Sequence, residues 1–245
     1  MTDNEFFNYD DIPVGYYDMV HSRTHGVQAF WHKVKFEQVY DCFPDIDRTT
    51  ILDVACGPGT FLGNYIRNAH GLGIDLAHGQ IEYARAKYGS ERIFFETASS
   101  SKIRDKGQIF NVVTCIEFIE HVTEFEVERM LQDIRLCLPG SGTLVITTPN
   151  YRGLWPLLEW SINKIARGQV YDQQHITHWN RKKIRNILIS NGYKVEQLRG
   201  IHGLAPFIAP LSWKFARWFS RIEKPFVLYS GFLLLVVATK NEDST

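Results

Sequence analysis

ILDVACGPGT, residues 51–60, decides the fold: a short apolar run, ILDVA, is broken by Cys-Gly-Pro-Gly and followed by a stretch that can be helical to about residue 68. That is the pattern of a strand, a glycine turn and a helix. Ala55, Gly57 and Gly59 lack bulk, so a ligand can approach the backbone closely. Sixteen residues after Gly59, the run LGID (72–75) ends on Asp75, where a carboxylate can accept hydrogen bonds from two ribose hydroxyls. Turn, helix and acidic strand end together point to an adenosine-containing ligand. The plainer alternative is a tight turn with a solvated Asp75.

Working outward, further strands are expected at RIFFE (92–96), NVVTCIEFI (111–119), GTLVITT (142–148), YKVEQLRGI (193–201) and GFLLLVVATK (231–240). With 51–55 and 72–75 they make seven, alternating with helical patterns as βαβ units of a parallel sheet do. Runs such as LLLVVA suit strands covered by helices on both faces. Thr123 and Glu126 form a capping box, Val122 and Val127 can staple it, and Pro139-Gly140 stops the helix near Leu138. Glu117, Glu120 and His121 therefore fall at the carboxyl end of the fourth strand, the edge where open α/β sheets bind ligands.

Composition agrees. The 245 residues carry 27 Lys plus Arg and 27 Asp plus Glu, with 44% hydrophobic and 22% charged residues. That is a globular chain with no basic excess, so no nucleic-acid partner is expected. The longest apolar stretch, 225–239, is shorter than the roughly 20 residues a membrane helix needs and holds Pro225 and Gly231. The N-terminus, MTDNEFFNYDD, is acidic where a secretory signal is basic and then apolar. Cys42, Cys56, Cys115 and Cys137 show no C-x-x-C spacing and read as reduced thiols. A soluble cytoplasmic protein is expected.

The ligand can be narrowed by charge. A dinucleotide wants its pyrophosphate on G-x-G-x-x-G, but Leu62 stands where the third glycine belongs. Asp53 in the floor of the turn would repel a pyrophosphate and pair with an ammonium. S-adenosylmethionine (SAM) carries an amino group and a sulfonium and no phosphate, and is favoured.

ILDVACGPG resembles motif I of class I SAM-dependent methyltransferases, GIDLA (73–77) their acidic second motif and IEFIEHV (116–122) their fourth-strand motif. LCLPGSGTLVITTPN (136–150) and QHITHWNRKKIRNILISNGYKVE (174–196) are similar to their later segments, so the likeness covers about residues 45–200. The nearest flavour is the subgroup of ubiquinone-biosynthesis O-methyltransferases and bacterial glycan methyltransferases. The resemblance implies a Rossmann-like, seven-stranded, mostly parallel α/β sheet with its last strand antiparallel, in one domain spanning 1–245. It also implies a helical lid at 1–44 and cap insertions at 151–179 and 202–225. By the same resemblance Asp53 would hold the SAM amino group, while Ala55, Cys56, Gly57 and Gly59 would pass beneath the ribose and methionine. Asp75 would bind the ribose and Leu76 pack on the adenine. Ala98 and Ser99 stand where relatives carry Asp-Ala, and Ile116, Glu117 and Phe118 would line the cofactor.

A hydroxyl acceptor needs its proton removed, best by a group with pKa near working pH. His121 is the first candidate and His175 with His178 the second; hydrogen bonding to backbone and loop packing are their plainer roles. Two histidines near Glu117 or Glu120 could bind a divalent metal, but no compact ligand motif supports one, and no metal is expected. Tyr16 or Tyr17 could cover the sulfonium, while Phe30, Trp31 and Phe36 read as core docking. Trp155, Leu158, Ile162 and Ile165 recur at helical spacing. In 211–224, Leu211, Phe215, Trp218, Phe219 and Ile222 share a face opposite Lys214, Arg217, Arg221 and Lys224. That helix is expected to pack on its own domain or over the acceptor, with peripheral contact at a membrane's inner face as the alternative. The expectation is methyl transfer to a small-molecule or lipid-like acceptor, at oxygen. A non-catalytic SAM-binding adaptor and, more remotely, an NAD-type oxidoreductase are the rivals.

Overall fold

The computed structural model describes residues 12–43, 49–104, 107–165 and 175–241. Two helices, α1 (Tyr16–Ser22) and α2 (Val27–Tyr40), precede β1 (Thr50–Val54). Then follow α3 (Thr60–Tyr65), β2 (His70–Asp75), α4 (His78–Tyr88), β3 (Ile93–Thr97), β4 (Val112–Ile116), α5 (Glu124–Cys137) and β5 (Thr143–Pro149). The chain continues through α6 (Trp155–Ile165), α7 (Arg181–Ser190), β6 (Tyr193–Ile201), α8 (Ala205–Ile208), α9 (Trp213–Ile222), α10 (Lys224–Ser230) and β7 (Leu233–Lys240). The seven strands lie in the order β3-β2-β1-β4-β5-β7-β6, with β7 antiparallel to both neighbours. This is the Rossmann-like arrangement expected from the sequence.

Strand β7 is the least polar because helices and strands surround it: Leu233, Leu234, Leu235 and Val236 are fully buried. Two apolar layers flank the sheet. One packs α5 and α7 on it through Leu131, Ile134, Ile184 and Leu188, and the other packs α2, α3 and α4 through Val39, Phe61, Leu62 and Ile81. The capping box forms, with Glu126 N–H donating to Thr123 Oγ1 and Thr123 N–H to Glu126 Oε2.

Three local expectations differ. β4 stops at Ile116 rather than 119, because Glu117 turns into the left-handed region (φ 52°) and Ile119–His121 forms a 3₁₀ turn. α3 ends at Tyr65 rather than 68. The third concerns α9. It docks through Trp213, Ala216 and Phe219 on Phe30 and Val34 of α2, while Leu211, Phe215, Trp218 and Ile222 face outward. The helix packs on its own domain as expected, but not through the whole Trp/Phe face, and Arg217 of the basic side is held by Glu37 of α2 in a two-bond ion pair of 2.6 and 2.7 Å.

The helices before β1 lie against the body through polar anchors. Asp18 of α1 accepts from Tyr83 Oη (2.8 Å) and Tyr88 Oη (2.5 Å) of α4 and pairs with Lys87. Phe30 and Phe36 are buried and Trp31 packs against the same side of the sheet, as expected. Parts of the lid (1–11 and 44), the middle of the first cap (166–174) and the side chains of Ile162 and Ile165 lie outside the described residues.

Candidate active site

The carboxyl ends of β1, β2 and β4 meet at one rim, and the turn after β1 sets its floor. Ala55 (φ 58°), Gly57 (φ 52°) and Gly59 (φ 72°) all adopt left-handed backbone, which only glycine accepts without strain. The two glycines serve different ends. A Cβ on Gly57 would meet nothing within 4 Å, so its outer side is open for a ligand. On Gly59 it would strike Phe95 and Ala84 at 2.6–2.9 Å, so this glycine lets α3 close on the sheet and does not face a ligand. Cys56 is buried, its N–H donating to Ile74 O at 3.0 Å.

Asp75 is aimed by two backbone donors: Gly57 N–H to Oδ2 and Ala77 N–H to Oδ1, each 2.8 Å. Each oxygen keeps a second acceptor direction. Beside it Leu76 is 71% exposed, a bare apolar side chain at the mouth. Across β3, Ala98 N–H donates to Asp75 O. Ser99 caps the 3₁₀ turn at 100–102, its Oγ accepting from Ser101 N–H and Oγ.

Asp53 sits deeper. It is 2% exposed, and Thr114 Oγ1 donates to its Oδ1 at 2.6 Å. Burial pushes its carboxyl up to about 7 against the pull of the Thr114 hydroxyl, with Asp75 adding repulsion.

At the end of β4, Glu117 is tied to Thr147 O by its N–H and pairs with Lys35 of α2, a lysine with 3% of its side chain exposed. Ile116 and Phe118, on either side, pack against opposite layers. Nothing in the strand motifs signals Lys35. Its position does, since Trp31, Lys35 and Val39 fall on one face of α2 and the other two are apolar.

The next turn is stitched to the segment after α6. Trp179, fully buried, donates its indole N–H to Ile119 O (2.9 Å), Thr177 N–H donates to Glu120 O (3.0 Å), and Thr177 Oγ1 donates to Val122 O (2.7 Å). These bonds bring His175 to His121, with ring centroids 5.0 Å apart. Glu120, His121 and His175 each offer a ligand atom, all within 4.8 Å of one another. No compact motif in the sequence spells out a metal site; the fold brings together, from residues 54 positions apart, a group that could hold an ion.

Burial and the negative Glu117 push the Glu120 carboxyl up to about 8, while Thr148 Oγ1 donates to it at 2.9 Å. Burial and the neighbouring histidines push His175 down to about 3, so it stays neutral and is a poor base at pH 7. Its Nδ1 lies 2.6 Å from Tyr151 Oη and 3.3 Å from Glu159 Oε1. His178, expected to act with His175, is exposed and stacked on Tyr151 at 3.9 Å instead. Tyr17 is part-exposed against His32, at 5.7 Å between rings. Tyr151, Glu159 and His202 are further polar side chains here that the sequence motifs did not pick out. His202 has a left-handed backbone (φ 58°) and an unpartnered, buried Nε2.

Asp53, Asp75, Glu117 and Glu120 put four carboxyl groups around this rim, with Lys35 set against Glu117. Burial keeps Asp53 and Glu120, raised to about 7 and about 8, part-protonated near pH 7, and an arriving cation favours their charged forms. Such a rim suits a cationic ligand and repels a pyrophosphate. Open space at Gly57, the aimed Asp75 and the exposed Leu76 fit an adenosine carrying an amino group and a sulfonium, as SAM does.

Known proteins bear on the same rim. The family described as "Methyltransferase domain" matches residues 27–198. The ubiquinone biosynthesis O-methyltransferase of Bartonella bacilliformis is 26% identical over 159 residues, 62% of each chain. The mitochondrial enzyme of that name from Bos taurus is 30% identical over 162 residues, 62% of this chain and 43% of the other. The chain thus matches less than two thirds of the length of these relatives. Magnesium protoporphyrin IX methyltransferase from Synechocystis, solved with SAH bound, superposes with a TM-score of 0.65 at 14% identity, covering 92% of this chain and 93% of that one. With the family model matched over residues 27–198, most of the chain, the chain belongs to the methyltransferase-domain family.

Proposed function

We propose that the chain transfers a methyl group from SAM to a hydroxyl oxygen of a small or amphipathic acceptor, at a centre made by Glu120, His121 and His175. What carries this reading is the convergence of a carboxylate and two imidazoles within 4.8 Å on the ligand-binding rim. That donor set suits a divalent cation such as Mg²⁺, Mn²⁺ or Zn²⁺. Glu120, His121 and His175 would hold such a cation, and its charge would favour loss of the proton from an acceptor hydroxyl, a role that His175, held near 3, is poorly suited to play as a base.

On the cofactor side, Asp75 would accept from the ribose hydroxyls and Leu76 would cover the adenine beside Ala98 and Ser99. Asp53 would pair with the amino group, while Ala55, Cys56 and Gly57 leave room along the turn. Ile116, Glu117 and Phe118 would form the wall from the fourth strand. SAM supplies a methyl group on a positively charged sulfur. The protein's share is alignment, which can supply roughly 7–11 kcal/mol of the barrier. Trp31 packs on Trp155 and Phe232 in the core layer, with ring centroids 6.4 and 5.7 Å away. A ring-bearing acceptor is the class we favour. Relatives named for ubiquinone biosynthesis point the same way.

The test supplies methyl-labelled SAM and purified protein to a lysate, which is then split into organic and aqueous phases. Label that EDTA abolishes, that one added cation restores and that His175→Ala fails to place is the expected outcome. Label indifferent to EDTA removes the cation from the mechanism. SAM binding with no label in either phase favours a non-catalytic SAM-binding adaptor.

A further inference from the structure

The second cap carries a face that the described chain does not cover. Phe215, Trp218 and Ile222 are spaced by three and four residues, which stacks them in one stripe along α9, and Leu211 stands in the turn just before the helix. Leu211, Phe215, Trp218 and Ile222 are 89%, 50%, 54% and 45% exposed, and Phe215 and Trp218 stack on each other at 5.2 Å. Phe226, just beyond on α10, is 77% exposed. An apolar stripe of this length, exposed on the side turned away from the domain's own core, marks an interaction surface.

Its border is basic. Lys214 lies three residues after Leu211 and four before Trp218, and Arg221 three after Trp218, so both flank the stripe. Lys224 follows at the turn into α10. Residues 211–230 hold four basic side chains and one acidic one. That acid, Glu223, is buried and turned inward, accepting from the backbone N–H groups of Gly203, Leu204 and Ala205. Arg217 is spent on Glu37. Among the described residues Lys214, Arg221 and Lys224 have no ion-pair partner.

We propose that α9 and the start of α10 dock this methyltransferase on an anionic lipid surface. The stripe lies at the acyl boundary, and Lys214, Arg221 and Lys224 meet lipid phosphates, the arrangement of a helix lying in a membrane interface. No described helix is long and apolar enough to cross a membrane, so the attachment is peripheral. The charge pattern speaks against a second copy as the occupant. A two-fold contact across this stripe would set Lys214 and Arg221 of both copies together with no exposed acid to answer them. The inference stands apart from the choice of acceptor, because it is read without SAM or substrate.

The experiment is co-sedimentation of the full chain with vesicles of phosphatidylcholine, with and without phosphatidylglycerol. Two variants accompany it: Phe215→Ser/Trp218→Ser and Lys214→Glu/Arg221→Glu. Wild type should pellet with the anionic vesicles, less so as salt rises. Charge reversal should weaken this at least about tenfold, at roughly 1 kcal/mol for each basic residue near the surface. The serine pair should abolish it, with SAM binding retained in both as the check on folding. The charge-reversal sites are exposed, so that variant carries the test if the serine pair misfolds. The proposal is overturned if wild type stays in the supernatant, or if both variants pellet as wild type does. It is also overturned if light scattering finds a dimer that the stripe variant dissociates.

Discussion

Asp53 gives the sharpest test of how the rim is built. Its carboxyl is 2% exposed and pushed up from its ordinary 3.8 to about 7, chiefly by burial. A carboxyl raised in the fold stabilises the protein fully below the unfolded value, and that stability is lost as pH climbs through about 7. The 3.2-unit difference, at 1.36 kcal/mol per unit, amounts to about 4 kcal/mol of penalty at pH 8, shrinking to under about 2 kcal/mol at pH 5. Asp53→Asn removes the charge and keeps an oxygen to accept from the Thr114 hydroxyl. The variant should therefore melt roughly 10 °C above wild type at pH 8 without ligand, at ~2–4 °C per kcal/mol for a chain of this size. At pH 5 the two should lie much closer. Thermal unfolding followed by circular dichroism at both pH values decides it. A gap that is the same at pH 5 and pH 8 would refute the reasoning, because the desolvation cost must titrate. Reduced SAM binding by the stabler variant would show that this cost is maintained for the ligand.

Three further outcomes follow from the same geometry. Asp75→Ala should weaken SAM binding about a hundredfold by calorimetry, since hydrogen bonds to a charged group are worth roughly 1.5–3 kcal/mol each; unchanged affinity would move the ribose site elsewhere. Ala55→Gly should raise the urea midpoint by up to about 1 kcal/mol in stability, as the φ of 58° strains any residue with a Cβ. Lys35→Met should cost about 2 kcal/mol by leaving the half-buried Glu117 without its ammonium. Adding Glu117→Gln should recover most of that loss in the same denaturation assay.

The seven strands and the glycine turn after β1 were legible because they depend on local signals. A strand that must be covered on both faces reads as LLLVVA wherever it stands. A turn that must admit a ligand reads as Gly-Pro-Gly with an acid closing the next strand. The end of β4 was missed for a local reason: Glu117 leaves the strand through a backbone angle that its residue type disfavours, so no propensity could place that end at Ile116. That α9 packs on its own domain was legible, but the side it would bury was not. A helical pattern shows that one face is apolar, not which face the rest of the chain covers, and Trp213, Ala216 and Phe219 bury a narrower side than the stripe they leave outside.

The centre assigned to the acceptor is the harder case. His121 and His175 are 54 residues apart, so their meeting depends on Trp179 and Thr177 bonding back to the turn at 119–122. Trp179 and Thr177 are therefore positioning residues for the cluster even though they face away from chemistry. Replacing Trp179 with Phe keeps most of the buried volume but removes the N–H that holds Ile119 O. If the bond matters only for packing, Trp179→Phe lowers stability alone. If it holds the turn in register, the same variant weakens Mn²⁺ binding, read by paramagnetic broadening of the histidine resonances, while SAM affinity at Asp75 stays where it was. The two sites share a rim but hang on separate bonds, and that separation is what the pair of readouts would expose.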